Sequence, residues 1–180
     1  MFGALFARLD RRESAWCLRL NRAVRWRLVR RLFAAVSRIG DGPFWYLLML
    51  LLPLYAGWHG LAVTLQMVAT GAAGLWLYRW LKLGTGRERP CARHHAIDLA
   101  GVPLDRFSFP SGHTLHAVAF TLLAGGAFPE FGWLLLPLTA LIALSRVVLG
   151  LHYPSDVVAG ALLGATLATA CQAAVRMLAG

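Results

Sequence analysis

Three clusters of side chains, far apart along the chain, carry the residue types of a single chemistry. Lys82 and Arg89 stand in KLGTGRERP, Ser111, Gly112 and His113 in PSGH, and Arg146, His152 and Asp156 in SRVVLGLHYPSD. Three cations aimed at one place suit a compact multivalent anion, phosphate above all, because the planar guanidinium fork holds two oxygens at once. Ser111 and Gly112 stand just before a helical pattern, where free backbone N–H groups and the helix dipole favour an anion. Two histidines beside such a cradle point to phosphoryl transfer. A neutral His152 can attack phosphorus if Asp156, four residues on, holds the proton of its other ring nitrogen. His113 can protonate the leaving oxygen and then activate water. The cations stabilise charge on the equatorial oxygens, the dominant contribution in phosphoryl transfer. This chemistry requires no metal and no cofactor.

The elements that must bring these clusters together are apolar. Of 180 residues 58% are hydrophobic and 14% charged, and the charges are segregated. Residues 42–78, 107–129 and 157–175 contain no Asp, Glu, Lys or Arg, and about 20 mostly apolar residues suffice to cross a bilayer. The expected fold is an all-α integral membrane protein of about five transmembrane helices in a bundle: 44–58, 61–81, 113–128, 131–149 and 156–178. His59 and Gly60 are the expected turn between the first two. Gly160, Gly164 and Ala168, four apart, let a neighbouring helix approach the last span. Alternating spans put all three polar clusters on one membrane face, and the opposite connections hold only His59 and Glu130.

The net charge of +10 is placed against a nucleic-acid partner. Ten arginines fall in the first 38 residues, interleaved with Trp16, Leu20, Trp26, Leu28, Leu32 and Phe33. Residues 1–40 therefore read as a basic amphipathic arm, a helix lying in the interface among anionic headgroups, and 41–180 as a single transmembrane domain. Its plainer alternative is a solvated basic helix packed on the protein's own core. Trp45, Trp58, Trp76 and Trp80, near span ends, fit interfacial belts. Cys17, Cys91 and Cys171 match no zinc or redox spacing. His116 either supports His113 or packs, and His94 and His95 lie in the long loop 82–111.

Singly, each cluster has a blander reading: a serine-glycine turn, a structural histidine–aspartate bond, a snorkelling basic patch. Together and in this order they resemble the type 2 phosphatidic acid phosphatase superfamily. Its signature is a lysine, six residues and Arg-Pro; then Pro-Ser-Gly-His; then Ser-Arg, five residues, His, three residues and Asp. All three parts are intact here, from Lys82 to Asp156. The resemblance implies that Lys82, Arg89, Ser111, Gly112 and Arg146 bind phosphate, with His152 as nucleophile, Asp156 as its partner and His113 as general acid. It implies a lipid phosphatase of a bacterial inner membrane, acting on phosphatidic acid, phosphatidylglycerophosphate, an isoprenyl diphosphate or a lipid A phosphate. A haloperoxidase-like vanadate enzyme and a non-catalytic lipid-phosphate binder or transporter are the alternatives. Members usually have six spans, and here the basic arm stands where the first would be. The arginines of the arm favour a cytoplasmic site, whereas similar lipid phosphatases mostly work on the outer face, so the face stays open, as does the oligomeric state.

Overall fold

The computed structural model describes residues 2–101, 103 and 105–179. The arm is two helices rather than one: α1, Phe2–Asn21, and α2, Arg27–Ile39, joined by a 3-10 turn over Arg22–Arg25. After them come α3, Pro43–Thr85, the single-turn α4, Pro90–Arg93, α5, Gly112–Ala127, α6, Pro129–Val148, and α7, Pro154–Ala179. Each of the long helices α3, α6 and α7 begins on a proline, whose fixed φ and missing N–H suit the first helical position. Among the described residues there is no strand, only an isolated bridge between Glu88 and Phe107 that pins the two limbs of the loop together.

α3 is not one rod. Helical geometry breaks at Ala56 and Gly57, where Gly57 has φ 55°, a left-handed conformation that a side chain would strain. The chain folds back there, so that Thr64 donates to the carbonyl of Met49 at 2.9 Å. The reversal thus falls three residues before the His59–Gly60 turn read from the sequence. Gly60 serves close packing instead. A Cβ at that position would lie 1.9 Å from the carbonyl oxygen of Leu52, so only glycine lets the arms of the hairpin close.

α5 is the axis of the bundle, packed on α7, α6 and α3. Leu115, Ala117, Ala119, Phe120, Leu123 and Ala124 are all buried. Gly160 and Gly164 of α7 meet its backbone directly, since a Cβ on either would come within 2.5 and 2.3 Å of the carbonyls of Ser111 and Leu115. That close approach is what the four-residue spacing of small side chains implied. The outer helices instead expose Leu50, Leu54, Leu65, Trp76, Trp133, Leu136, Val158 and Leu162, an apolar surface too large for water. Among the described residues three helices, Pro43–Thr85, Pro129–Val148 and Pro154–Leu178, are long and apolar enough to cross a membrane. Trp58, Trp76 and Trp80 are exposed, as a belt requires, but Trp45 is buried, its ring 5.4 Å from that of Phe120. It is a core residue, because the first arm of α3 turns that face inward.

The arm docks on the bundle. Cys17 and Asn21 of α1, Val24 of the turn and Val36 and Ser37 of α2 are buried, while Trp16, Trp26, Leu28 and Leu32 remain outside. The Asn21 amide donates to the carbonyls of Asp98 and Val148 at 2.9 and 3.0 Å and accepts from the Asp98 N–H at 2.8 Å. Burial pushes the Cys17 thiol up to about 12, in keeping with a small apolar filler.

Candidate active site

A cavity of about 380 Å³ is walled by both arms of α3, the start of α5 and the loops that follow α3 and α6. Its polar end carries Lys82, Arg89, Asp105, His113, Arg146 and His152, with Asp41 beside them. The rest of its wall is largely apolar, from Trp45, Met49, Met67, Val68, Leu75 and Phe120. Segments as distant as Lys82 and His152 meet here because α3 ends, α5 begins and α6 hands over to α7 at the same end of the bundle.

His152 lies in the turn before α7 and is 1% exposed. Arg89 Nη1 approaches its Nε2 at 3.2 Å. Since a guanidinium only donates, Nε2 is the acceptor, and the ring proton sits on Nδ1. Nδ1 faces Asp156 Oδ2 at 3.6 Å, longer than a hydrogen bond, a separation that catalytic pairs often close only when substrate is bound. Burial first, then the charges of Arg89, Arg146, Lys82 and His113, hold the imidazole well below its ordinary value, so the ring is neutral. The Asp156 carboxylate is fixed from behind: Oδ2 accepts from the Tyr153 N–H at 2.8 Å and Oδ1 from Arg87 at 2.5 Å.

The three expected phosphate cations all reach the cavity. Arg146 is buried, gives one N–H to Ser37 Oγ, and keeps Nε without a partner among the described residues. Lys82 and Arg89 are bound to Asp105, at 2.6 Å from Nζ and 2.8 Å from Nη2. Burial pushes the Asp105 carboxyl up, but the bonds and charges of Lys82 and Arg89 outweigh it and hold it below the usual aspartate range. Gly112 lines the cavity; Ser111 does not. The Ser111 hydroxyl is 3.0 Å from Thr114 Oγ1 and its N–H donates to the Asp156 carbonyl at 3.0 Å, so it braces the cradle from outside.

His113 sits in the first turn of α5, and its Nε2 pairs with the carboxylate of Asp41, at the mouth of α3. At Asp41 too, burial acts upward and is outweighed, here by the His113 bond and the charges of His113, Arg146 and Arg38. His116 packs: its nitrogens lie 2.9 and 3.1 Å from the carbonyls of Gly112 and Gly71, tying α5 to α3. His94 is 2.7 Å from Ser14 Oγ of α1, and among the described residues no three side chains form a metal-ligating group. Sequence reasoning missed Asp41, Asp105 and Arg87. For Asp41 a signal existed, since it opens the first span on the face that carries the site.

A family model described as the PAP2 superfamily matches residues 56–178. Over 116 residues, 62% of the chain, it is 33% identical to a lipid A 1-phosphatase of Rhizobium johnstonii. Over 85 residues, 45% of the chain, it is 43% identical to a decaprenylphosphoryl-5-phosphoribose phosphatase of Mycobacterium tuberculosis. The chain spans less than half the length of these two relatives, 46% and 44%. The crystal structure of a transmembrane PAP2 type phosphatidylglycerolphosphate phosphatase from Bacillus subtilis has the same fold, with a TM-score of 0.68 at 21% identity. That likeness covers 98% of this chain and 94% of the other, so it takes in the N-terminal arm.

Proposed function

The chain belongs to the PAP2 superfamily, and we propose that it removes phosphate from a membrane lipid phosphate or diphosphate, without a metal, through a phosphohistidine on His152. The observation that carries this reading is one cavity with three cations and two histidines at its polar end and a largely apolar wall beyond. Lys82, Arg89, Arg146 and the free N–H groups at the start of α5 take the phosphate oxygens, while the apolar wall takes the first part of a lipid chain.

His152 Nε2 attacks phosphorus with its lone pair as the bond to the leaving oxygen breaks. Asp156 holds the Nδ1 proton and offsets the positive charge that forms on the ring. Asp41 occupies Nε2 of His113, so the Nδ1 side of that ring serves the leaving oxygen with a proton. The neutral His113 then takes a proton from water, the hydroxide oxygen bonds to phosphorus, the P–N bond breaks, and inorganic phosphate leaves. The relatives act, by name, on lipid A and on a decaprenylphosphoryl sugar phosphate. The substrate here is of that broad class. The outward tryptophans and arginines of the arm sit among anionic headgroups of a bacterial inner membrane.

The test uses the full chain in detergent with a panel of radiolabelled phosphatidic acid, phosphatidylglycerophosphate, isoprenyl diphosphate and lipid A. Turnover of at least one is expected, with a phosphoenzyme that survives alkaline quench and is lost in acid. His152→Ala is expected to fold, bind vanadate and release no phosphate. Full turnover by that variant would refute the nucleophile, and binding without turnover by the unaltered chain would leave a lipid-phosphate binder.

A further inference from the structure

Arg87 lies within KLGTGRERP but outside the cavity, and its side chain is 1% exposed. Its guanidinium carbon stands 4.2 Å from the ring centre of Tyr153 and 4.8 Å from that of Phe6. Nη1 donates to Asp156 Oδ1 at 2.5 Å and to Ser155 Oγ at 2.7 Å. On its other side, Nε and Nη2 donate to Asp10 Oδ1 at 3.0 and 2.7 Å, and Nη2 to Glu13 Oε2 at 3.0 Å. Glu13 also accepts from the Ser155 N–H and hydroxyl at 3.1 and 2.8 Å. One buried cation thus joins two carboxylates of α1 to the carboxylate that faces His152.

The geometry leaves Asp156 little freedom. The Tyr153 N–H and Arg87 between them fix the plane of its carboxylate and present Oδ2 to His152 Nδ1. Without Arg87, a buried carboxylate would keep a charge with no cation against it, and such a group either takes up a proton or turns away. In both cases His152 Nδ1 loses the carboxylate that it faces and must meet when substrate is bound.

We infer that Arg87, clamped by Asp10 and Glu13 of α1, is a positioning residue for the transfer reaction: it sets Asp156 and, through it, His152, which makes the N-terminal helix part of the catalytic apparatus. The inference rests on the reading of His152 as nucleophile. Arg87 itself touches neither substrate nor phosphorus.

The charges around this relay give the test its sign. His152 is faced by Arg89, Arg146, Lys82 and His113. Asp156 is faced by Arg87, with Ser108 as a further donor; Cys17 and Tyr153 lie near, and Asp10 and Glu13 stand beyond Arg87. Arg87→Met removes a positive charge that disfavours protonation of both Asp156 and His152. The acid limb of the activity profile is therefore expected to move up by about one pH unit. The Asp10→Asn, Glu13→Gln pair leaves Asp156 as the one acidic partner of Arg87 among the described residues and also frees Arg93, whose guanidinium binds Asp10, so the positive charge beside Asp156 grows and the limb moves down.

The assay is hydrolysis, in detergent by the full chain, of whichever lipid phosphate of the panel above the parent turns over, from pH 4.5 to 8.5, with thermal midpoints as the fold control. For Arg87→Met, kcat is expected to fall about 10- to 100-fold, the usual cost of losing a partner one step removed from the reacting group, with KM within about twofold. If Arg87→Met does not fold, the Asp10, Glu13 pair decides alone. Profiles unchanged from the parent, or limbs that move the same way in both variants, would overturn the relay. A His152→Ala variant that still turns over would instead overturn the nucleophile, so the two failures are distinguishable.

Discussion

Replacing Asp105 by asparagine is expected to tighten the binding of phosphate-like anions about 5- to 30-fold. In the free protein this carboxylate lies on two cations of the proposed cradle, 2.6 Å from Lys82 Nζ and 2.8 Å from Arg89 Nη2. An incoming phosphate needs those same donors, so Asp105 competes with it. A hydrogen bond to a charged group contributes about 1.5–3 kcal/mol when buried, whereas exposed ion pairs fall toward 0–1 kcal/mol through screening. The Asp105 side chain is 37% exposed, which sets the two bonds together at about 1–2 kcal/mol and hence the fold-change. The substitution spares the anchor of the loop, because Arg89 Nε donates to the main-chain carbonyl of Asp105 at 2.9 Å. The assay is the inhibition constant of vanadate, or the affinity for inorganic phosphate by calorimetry. An unchanged or weakened constant would refute the competition and mean that the carboxylate organises the cations instead.

Three further outcomes follow from the same geometry. Asp41→Asn removes the partner of His113 and is expected to lower kcat about 100-fold on lipid phosphates. On an aryl phosphate, whose leaving group needs no proton, the loss shrinks to about threefold, and a steady-state comparison of the two substrates checks it. Gly164→Val forces a side chain into the carbonyl of Leu115, 2.3 Å from the Cβ position, and should cost about 1–3 kcal/mol, read as a lower thermal midpoint with activity lost in parallel. Stability should also fall on acidification below about pH 6.5, because the unfolded chain then protonates His152 while the folded chain, holding it well below that value, does not. Asp105, also held below its ordinary value when folded, acts in the same direction, and its contribution is lost at still lower pH, as pH falls through its folded value. Thermal midpoints across pH for the parent and His152→Gln check this, the variant showing the shallower fall.

What the sequence displays well is local. The three motifs each sit at a helix end or in a turn, where residue type and short spacing carry the chemistry, and the apolar runs mark the helices around them. The carboxylates that complete the site are invisible in this way, since Asp10 meets Arg87 across 77 positions and Asp41 meets His113 across 72. Ion pairs at that separation leave no pattern in either segment. A weaker signal was available in scarcity. The chain has eight carboxylates against 18 Lys and Arg, and Asp10, Glu13, Asp41, Asp105 and Asp156 all pair with a cation or histidine at or beside the cavity. The displaced turn at Gly57 has another cause. Two glycines three apart offered two places to reverse the chain, and only tertiary packing, the contact of Gly60 with Leu52, assigns them.

The arm alters how the charge pattern bears on topology. Its own residues brace the site: Ser37 takes an N–H of Arg146, Asn21 ties Val148 to the loop carbonyl of Asp98, and Asp10 and Glu13 hold Arg87. Arm and site therefore occupy one membrane face, whichever it is. On the proposed reading Lys82, Arg89 and Arg146 serve the anion and Arg87 serves Asp156, so their charges say little about insertion. The ten arginines of the arm lie outside that cradle and are free to report on orientation. Because the hydrogen bonds above bind the arm that carries them to the site, the positive-inside bias they express bears on the cavity as well, and an extracytoplasmic site would require the most basic segment of the chain to cross with it.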